Sequence, residues 1–180
     1  KLFQEWTTIF KIVLILIFIV IGLFSTEHEP ISIIPTRYDF KLIISPEFAV
    51  NLVWVSYAYA GWNSSVYVVG EIVHPEKNIF RSIFFGTMIV TLLYIVLNYV
   101  FLYVTPMDQL IGKVEVGYLS GVHLLGERFA RVLSLCIGLM LISTVSSYVY
   151  IGPRIIQAIG KDYDRLSILS KTDSQGIPLN

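Results

Sequence analysis

Four long stretches of the chain carry no charged side chain, and they determine the predicted secondary structure. They are residues 12–26, 48–70, 82–107 and 132–153, with lengths of 15, 23, 26 and 22 residues. A helix needs roughly 20 apolar residues, at about 1.5 Å each, to cross the bilayer core. The last three stretches are long enough alone. The first helix must begin near Leu2, which places Lys11 inside the membrane edge.

We therefore predict four membrane-spanning helices joined by polar segments that are rich in proline and charge. The helices are expected at about 2–24, 47–73, 81–105 and 127–155, separated by a loop at 25–46, a turn at 74–80, a loop at 106–126 and a tail at 156–180. The chain opens without an initiator methionine or a signal peptide, and it ends on a loop that contains Pro178. These features predict an internal piece of a larger membrane protein.

Composition supports a membrane location. Hydrophobic residues make up 55% of the chain and charged residues 14%, and the mean hydropathy is +0.71. A soluble domain carries about 25% charged residues. The 13 basic and 13 acidic residues cancel, so there is no basic field for nucleic acid. Cys136 is the single cysteine, which excludes an internal disulfide framework and a cysteine zinc site. We predict an all-α integral membrane protein.

Four spans place successive connecting segments on alternate sides of the membrane. The side with the 74–80 turn and the tail carries Lys1, Lys77, Arg81, Arg154, Lys161, Arg165 and Lys171, and the other carries Arg37, Lys41, Lys113, Arg128 and Arg131. This small excess favours a cytoplasmic turn and tail. Within the spans, Gly22, Gly86 and Gly138 are expected to allow close helix approach.

The second span has an unusual centre, in which small, aromatic and amide residues surround a glycine. The segment reads Tyr57-Ala58-Tyr59-Ala60-Gly61-Trp62-Asn63. Glycine costs about 1 kcal/mol relative to alanine inside a helix. A break here would expose carbonyls that must bond to something inside the membrane. The residues alone leave two alternatives open, a broken helix and a continuous helix whose small face packs on a neighbour.

This segment and the residues after it resemble helix six of amino-acid permeases. The residues that match helix six and the turn after it are Tyr57–Asn63, Gly70-Glu71-Ile72, His74–Ile79 and Arg81-Ser82. Three other helices of the family are matched as well. The matches are to helix five at Thr8–Lys11 and Gly22-Leu23, to helix seven at Val90–Tyr94 and Leu102–Pro106, and to helix eight at Gly152–Arg154. The family is the amino acid–polyamine–organocation superfamily, in the branch of bacterial permeases related to L-type transporters. Phe80 departs from the family, which usually has proline before Arg81.

The resemblance implies a LeuT fold with inverted five-helix repeats, to which this chain contributes helices five to eight. It implies a second span broken near Ala60-Gly61. It also implies substrate-binding roles for six residues. The carbonyls of Tyr57, Ala58 and Ala60 would hold the substrate ammonium, and the Tyr57 ring would act as a gate. Gly61 would allow the break, and Trp62 and Asn63 would line the pocket. The electrostatics agree, because a helix carboxyl end carries about half a negative charge.

Lys11 resembles a helix-five lysine which, in proton-coupled relatives, lies where sodium-coupled members hold an ion. The resemblance implies a proton-coupling role for Lys11, with Thr144 or Ser147 on the fourth span as its partner. The residues alone leave alternatives open. Lys11 can extend toward the headgroups, and the hydroxyls can bond to their own helix or join two helices.

The expected function is secondary active transport of amino acids by alternating access, proton-coupled or by exchange, in a bacterial inner membrane. A neutral substrate is favoured because no charge lies near Tyr57–Asn63. The alternatives are a passive channel and a non-transporting sensor or assembly relative. The three histidines lie in predicted loops without metal-ligand spacing, and no catalytic arrangement falls in a span. We expect no enzyme, metal or cofactor; the expected partners are the substrate, lipid and the rest of the transporter.

Overall fold

The computed structural model describes residues 2–26, 28–31 and 34–172, except for the side chains of Leu2 and Glu71, and this part of the chain is mainly helical. The end of the predicted tail, including Pro178, lies outside the described residues. The α-helices are α1 (Leu2–Leu23), α2 (Arg37–Ile43), α3 (Pro46–Tyr59), α4 (Ser64–Tyr67), α5 (Pro75–Val104), α6 (Met107–Leu110) and α7 (Val116–Asp162). Short 3-10 helices cover Ala60–Asn63, Val69–Glu71 and Asp164–Ser170.

Three helices among the described residues are long and apolar enough to cross a membrane. They are α1, whose qualifying part is Phe3–Leu23, α5 and α7. A fourth candidate is the pair formed by α2 and Pro46–Tyr67, which is bent by 67° and passes the same test as a pair. The prediction of an all-α protein with helices long and apolar enough to span a membrane is confirmed, with three such helices among the described residues, or four if the bent pair is one span.

The chain divides into two compact units. The first contains Lys1–Val50 and Ile89–Ser143, and the second contains Asn51–Met88 and Thr144–Asn180. In the first unit, the buried core joins α1, α5 and α7 through Phe18, Ile19, Val100, Val104 and Leu133. These are the side chains that an apolar helix face supplies when it meets two neighbours.

The start of α5 differs from the prediction. We expected a turn at 74–80 and a helix from 81, whereas α5 begins at Pro75. His74 has a φ of 52°, which separates the helix from the preceding turn. Proline suits the first helical position because its missing N–H would be unpaired there anyway. Phe80 keeps an N–H that proline would lack, so the helix continues through this position.

The predicted loop at 106–126 also contains helical structure. It holds α6 and the first part of α7, which is interrupted at Gly126 with φ 80° and ψ 176°. Residues 116–125 fold back against 127–143 to form what we call the α7 hairpin. A Cβ at Gly121 would lie 3.2 Å from Leu133 Cδ2 and 3.3 Å from Ala130 Cα. Glycine therefore permits the close approach of the two arms.

The predicted loop at 25–46 carries α2, which begins with a capping box. The Thr36 N–H donates to Asp39 Oδ2 at 2.6 Å, and the Asp39 N–H donates to Thr36 Oγ1 at 3.4 Å. Hydrogen bonds from the backbone and then the hydroxyl of Thr36 hold the pKa of Asp39 below its ordinary value of 3.8. Earlier in the same loop, the Glu29 N–H donates to the Tyr103 carbonyl at 2.8 Å, which ties the loop to α5.

Candidate functional site

The predicted substrate segment lies where α3 ends and the helix changes type. The α-helix stops at Tyr59, whose φ and ψ are −98° and −3°, and a 3-10 helix covers Ala60–Asn63. The Ser64 N–H donates to the Gly61 carbonyl. In a 3-10 turn each N–H reaches back three residues rather than four. The hydrogen-bond pattern therefore changes from α to 3-10 at Ala60-Gly61, and the backbone stays helical.

The six predicted binding residues all lie on the surface of the second unit. Tyr57 is 70% exposed and Trp62 is 55% exposed. Ala58, Ala60, Gly61 and Asn63 are also exposed. The structure therefore places the six residues on one short segment and leaves them accessible.

The polar side chains around this segment are uncharged. The hydroxyl of Ser56 donates to the Leu52 carbonyl of its own helix at 2.9 Å. The Tyr57 ring lies 6.1 Å from the Trp54 ring, centre to centre. No charged side chain occurs between Glu47 and Glu71 in the sequence. The groups that this stretch offers to a cation are therefore backbone carbonyls, side-chain amide and hydroxyl oxygens, and aromatic rings.

Gly61 is not required by any packing within the described chain. A Cβ at this position would meet no atom within 4 Å, and the backbone does not adopt a left-handed φ. Gly86 and Gly138, which we expected to sit at helix contacts, also have open space around them. Gly22 does sit at such a contact, because a Cβ there would overlap Val100 Cγ1. The expectation for the glycines is confirmed at Gly22 and is wrong for Gly86 and Gly138 within the described chain.

Lys11 lies in the first unit, half-buried on α1. One turn earlier, Thr7 Oγ1 is 2.6 Å from Ser143 Oγ on α7, and Ser143 is 2% exposed. Phe18 of α1 and Leu133 of α7 belong to the same buried core cluster, and with the Thr7–Ser143 pair this indicates that α1 and residues 127–143 run antiparallel. One turn is about 3.6 residues, so Lys11 lies level with about residue 139 of α7.

Thr144 and Ser147 are half-buried on α7 in the second unit. The implied pairing of either residue with Lys11 stays a prediction. Sequence analysis gave no role to Thr7 or Ser143. The available signal was spacing, because Thr7 lies four residues before Lys11 and therefore on the same helix face.

The fold and this segment define a multi-pass membrane protein, and comparison with known proteins gives its family. A family model described as amino acid permease matches residues 1–180. The chain belongs to the amino acid permease family, in the superfamily that the sequence motifs indicated.

Relatives from mammals and bacteria share low but extended similarity with the chain. Mouse solute carrier family 7 member 12 is 25% identical over 166 residues, which are 92% of this chain and 36% of the mouse protein. Mouse large neutral amino acids transporter small subunit 2 is 24% identical over 170 residues, 93% of this chain and 32% of that protein. The Bacillus subtilis amino-acid permease RocE is 27% identical over an alignment of 195 positions, which covers 99% of this chain and 41% of the permease.

The chain thus spans about a third of the length of the mouse relatives. The names of the relatives describe carriers, transporters and permeases, so the prediction that the protein is not an enzyme is confirmed. No solved structure matches the chain significantly.

Proposed function

We propose that the protein to which this chain contributes helices five to eight moves amino acids across a membrane by secondary active transport. The family match over residues 1–180 supports this proposal, as do relatives named for transport of large neutral amino acids and as an amino-acid permease. The observation that carries it is the change from α-helix to 3-10 helix at Ala60-Gly61, inside a charge-free stretch.

The proposed substrate site is the carboxyl end of α3. An amino acid presents an ammonium with three N–H donors, and it needs acceptors in a membrane that offers no water. The carbonyls of Tyr57, Ala58 and Ala60 lie where a helix end concentrates partial negative charge. Such a site binds a cation without a carboxylate, and it releases the cation when the helix ends move apart.

Neighbouring side chains extend this site. We assign the Tyr57 ring, which is exposed, as the gate over the substrate, and the exposed Trp62 and Asn63 as lining of the same site. A charged substrate side chain would remain unpaired beside residues 48–70, and an unpaired charge in the membrane is costly. The site therefore favours neutral amino acids, whose side chains the two aromatic rings can contact.

The proposed mechanism is alternating access in a LeuT-type arrangement, with the first and second repeats moving about this site. Proton coupling is assigned to Lys11, whose amine can take up and release a proton during the cycle, with Thr144 and Ser147 as its proposed polar partners. Exchange of one amino acid for another is the alternative driving force. We place the protein in a bacterial inner membrane with the 74–80 turn and the tail in the cytoplasm, in accord with their excess of basic residues.

The test is uptake of a labelled amino-acid mixture by the full-length protein in proteoliposomes, with and without an inward proton gradient. We expect saturable uptake that rises with the gradient and loses this response in Lys11→Ala. Lys41→Ala is the matched control, because Lys41 is an exposed lysine of α2 outside the charge-free stretches. Linear flux would indicate a channel, and binding without flux would indicate a sensor. If Lys11→Ala retained the response to the gradient, the coupling role of Lys11 would be rejected and the transport proposal would stand.

A further inference from the structure

We propose that Thr7 and Ser143 form a hydrogen-bonded latch between α1 and α7 that positions Lys11 for proton coupling. The inference rests on the proposed function, since it concerns how the coupling lysine is held. Neither residue is proposed to touch substrate or to carry the proton, so both are positioning residues.

The contact itself is short and shielded. Thr7 Oγ1 and Ser143 Oγ lie 2.6 Å apart, although 136 residues separate them in the sequence. Ser143 is 2% exposed and Thr7 is half-buried. Both residues belong to candidate membrane spans, where no water competes for a hydroxyl. A hydrogen bond in this setting fixes the position of one helix against the other.

The hydroxyl of Thr7 can form hydrogen bonds with α1 and with α7 at the same time. Its hydroxyl also lies 2.9 Å from the Phe3 carbonyl and 3.1 Å from the Gln4 carbonyl of α1. A hydroxyl has one hydrogen to donate and two lone pairs that accept. Thr7 can therefore donate within α1 while it accepts the hydrogen of Ser143. This arrangement fixes the rotamer of Thr7 and the rotation of α1 together.

The latch acts on Lys11 through the helix. Residues four apart lie on the same face of a helix, about one 5.4 Å turn apart. Holding Thr7 against Ser143 therefore sets both the height and the direction from which the Lys11 side chain leaves α1. Lysine has a long flexible stem that can otherwise carry its ammonium toward the headgroups. The latch keeps this side chain directed along the side of α1 that meets α7.

Thr8 provides a matched control. It is the neighbouring residue with the same side chain, but it is exposed and its hydroxyl donates to the Gln4 carbonyl within α1 at 2.8 Å. A general effect of removing a hydroxyl from this helix should appear equally in Thr7→Val and Thr8→Val. An effect of the latch should appear in Thr7→Val and Ser143→Ala, with recovery in Thr7→Ser.

The first experiment measures the pH profile of amino-acid uptake by the full-length protein in proteoliposomes. We expect Thr7→Val and Ser143→Ala to keep saturable uptake and to move the pH of half-maximal uptake by about half a unit or more, roughly a threefold change in proton affinity. Thr8→Val and Thr7→Ser should retain the wild-type profile.

A double variant separates the latch from two unrelated effects. Removing both partners should shift the profile no further than removing one, because residues that act through one bond are not additive. Additive shifts, or wild-type profiles in both single variants, would overturn the latch and leave the proposed function standing. Absence of uptake in the wild type would instead overturn the proposed function.

Cross-linking tests the contact independently of transport, including for variants with low activity. In a background carrying Cys136→Ser, the pair Thr7→Cys and Ser143→Cys should be joined by a short thiol cross-linker in native membranes. The pair Thr8→Cys and Ser143→Cys should react at least several-fold less. Equal reaction of the two pairs would overturn the latch, because it would place Thr7 no closer to α7 than its neighbour.

Discussion

Gly22 of α1 lies directly against the side chain of Val100 of α5. A Cβ built on Gly22 would overlap Val100 Cγ1, and Val100 is 0% exposed. Interfaces between membrane helices use such small residues because close backbone approach maximises dispersion contacts in lipid. The pair therefore determines how closely α1 and α5 can pack within the first unit.

Gly22→Ala should destabilise the protein by about 1–3 kcal/mol, the usual cost of overpacking a tight contact. Thermal unfolding of the purified full-length protein in detergent measures the change. Gly138→Ala is the control, because a Cβ there meets nothing within 4 Å. Equal melting temperatures for Gly22→Ala and wild type would show that α1 and α5 are not in this close contact.

The α7 hairpin depends on a backbone conformation that only glycine adopts readily. Gly126 has φ 80° and ψ 176°, a region in which a side chain costs roughly 1–3 kcal/mol. Gly126→Ala should lower the free energy of unfolding by that amount. Gly138→Ala, on the same helix, should be neutral or stabilising by up to about 1 kcal/mol. If both substitutions raised stability alike, residues 116–143 would form a continuous helix instead.

The capping box of α2 should make a local contribution that depends on pH. Because the pKa of Asp39 is lowered in the folded state, its contribution is fully present above pH 3.8 and is lost as the pH falls through the lower folded value. An NMR titration of the isotope-labelled Asp39 carboxyl should give a midpoint below 3.8. Thr36→Val should return the midpoint toward the ordinary value. A wild-type midpoint at or above 3.8 would contradict the capping box.

Gly61 should matter for transport rather than for folding. Its surroundings within the described chain accept a methyl group, so Gly61→Ala should fold normally. Uptake should fall by about tenfold or more, because one added methyl in a fitted pocket costs 10- to 200-fold in discrimination. Gly86→Ala, which is equally unhindered on α5, should leave uptake unchanged. Equal uptake in the two variants would remove Gly61 from the proposed site.

The features that could be predicted from the sequence are those that a membrane environment requires of the chain. Charge-free length indicated the spans, because an unpaired charge is costly in lipid. The prediction of 2–24 for the first helix lies close to the observed Leu2–Leu23. The change from α-helix to 3-10 helix also coincides with the glycine at position 61. These are local effects, and local composition determines them.

The structural features that the sequence analysis missed depend on contacts between residues that are distant in sequence, or on local signals that are weaker than the overall composition of a segment. The polar residues of 106–126 indicated a loop, whereas the close packing of Gly121 on Ala130 and Leu133 stabilises a helix there. The spacing of Thr36 and Asp39 was a readable capping signal for α2. The Thr7–Ser143 bond was not readable, because nothing local specifies which of several hydroxyls on α7 meets α1.

The central claim is that carbonyls at the carboxyl end of α3 hold the substrate ammonium, and the requirement for that ammonium tests it most directly. Uptake by the full-length protein in proteoliposomes should be inhibited by a neutral amino acid but much less by the 2-hydroxy acid with the same side chain. We predict a difference of about ten- to a hundredfold in inhibition constant, since a hydrogen bond to a charged group contributes about 1.5–3 kcal/mol. Equal inhibition by the two compounds would contradict the account.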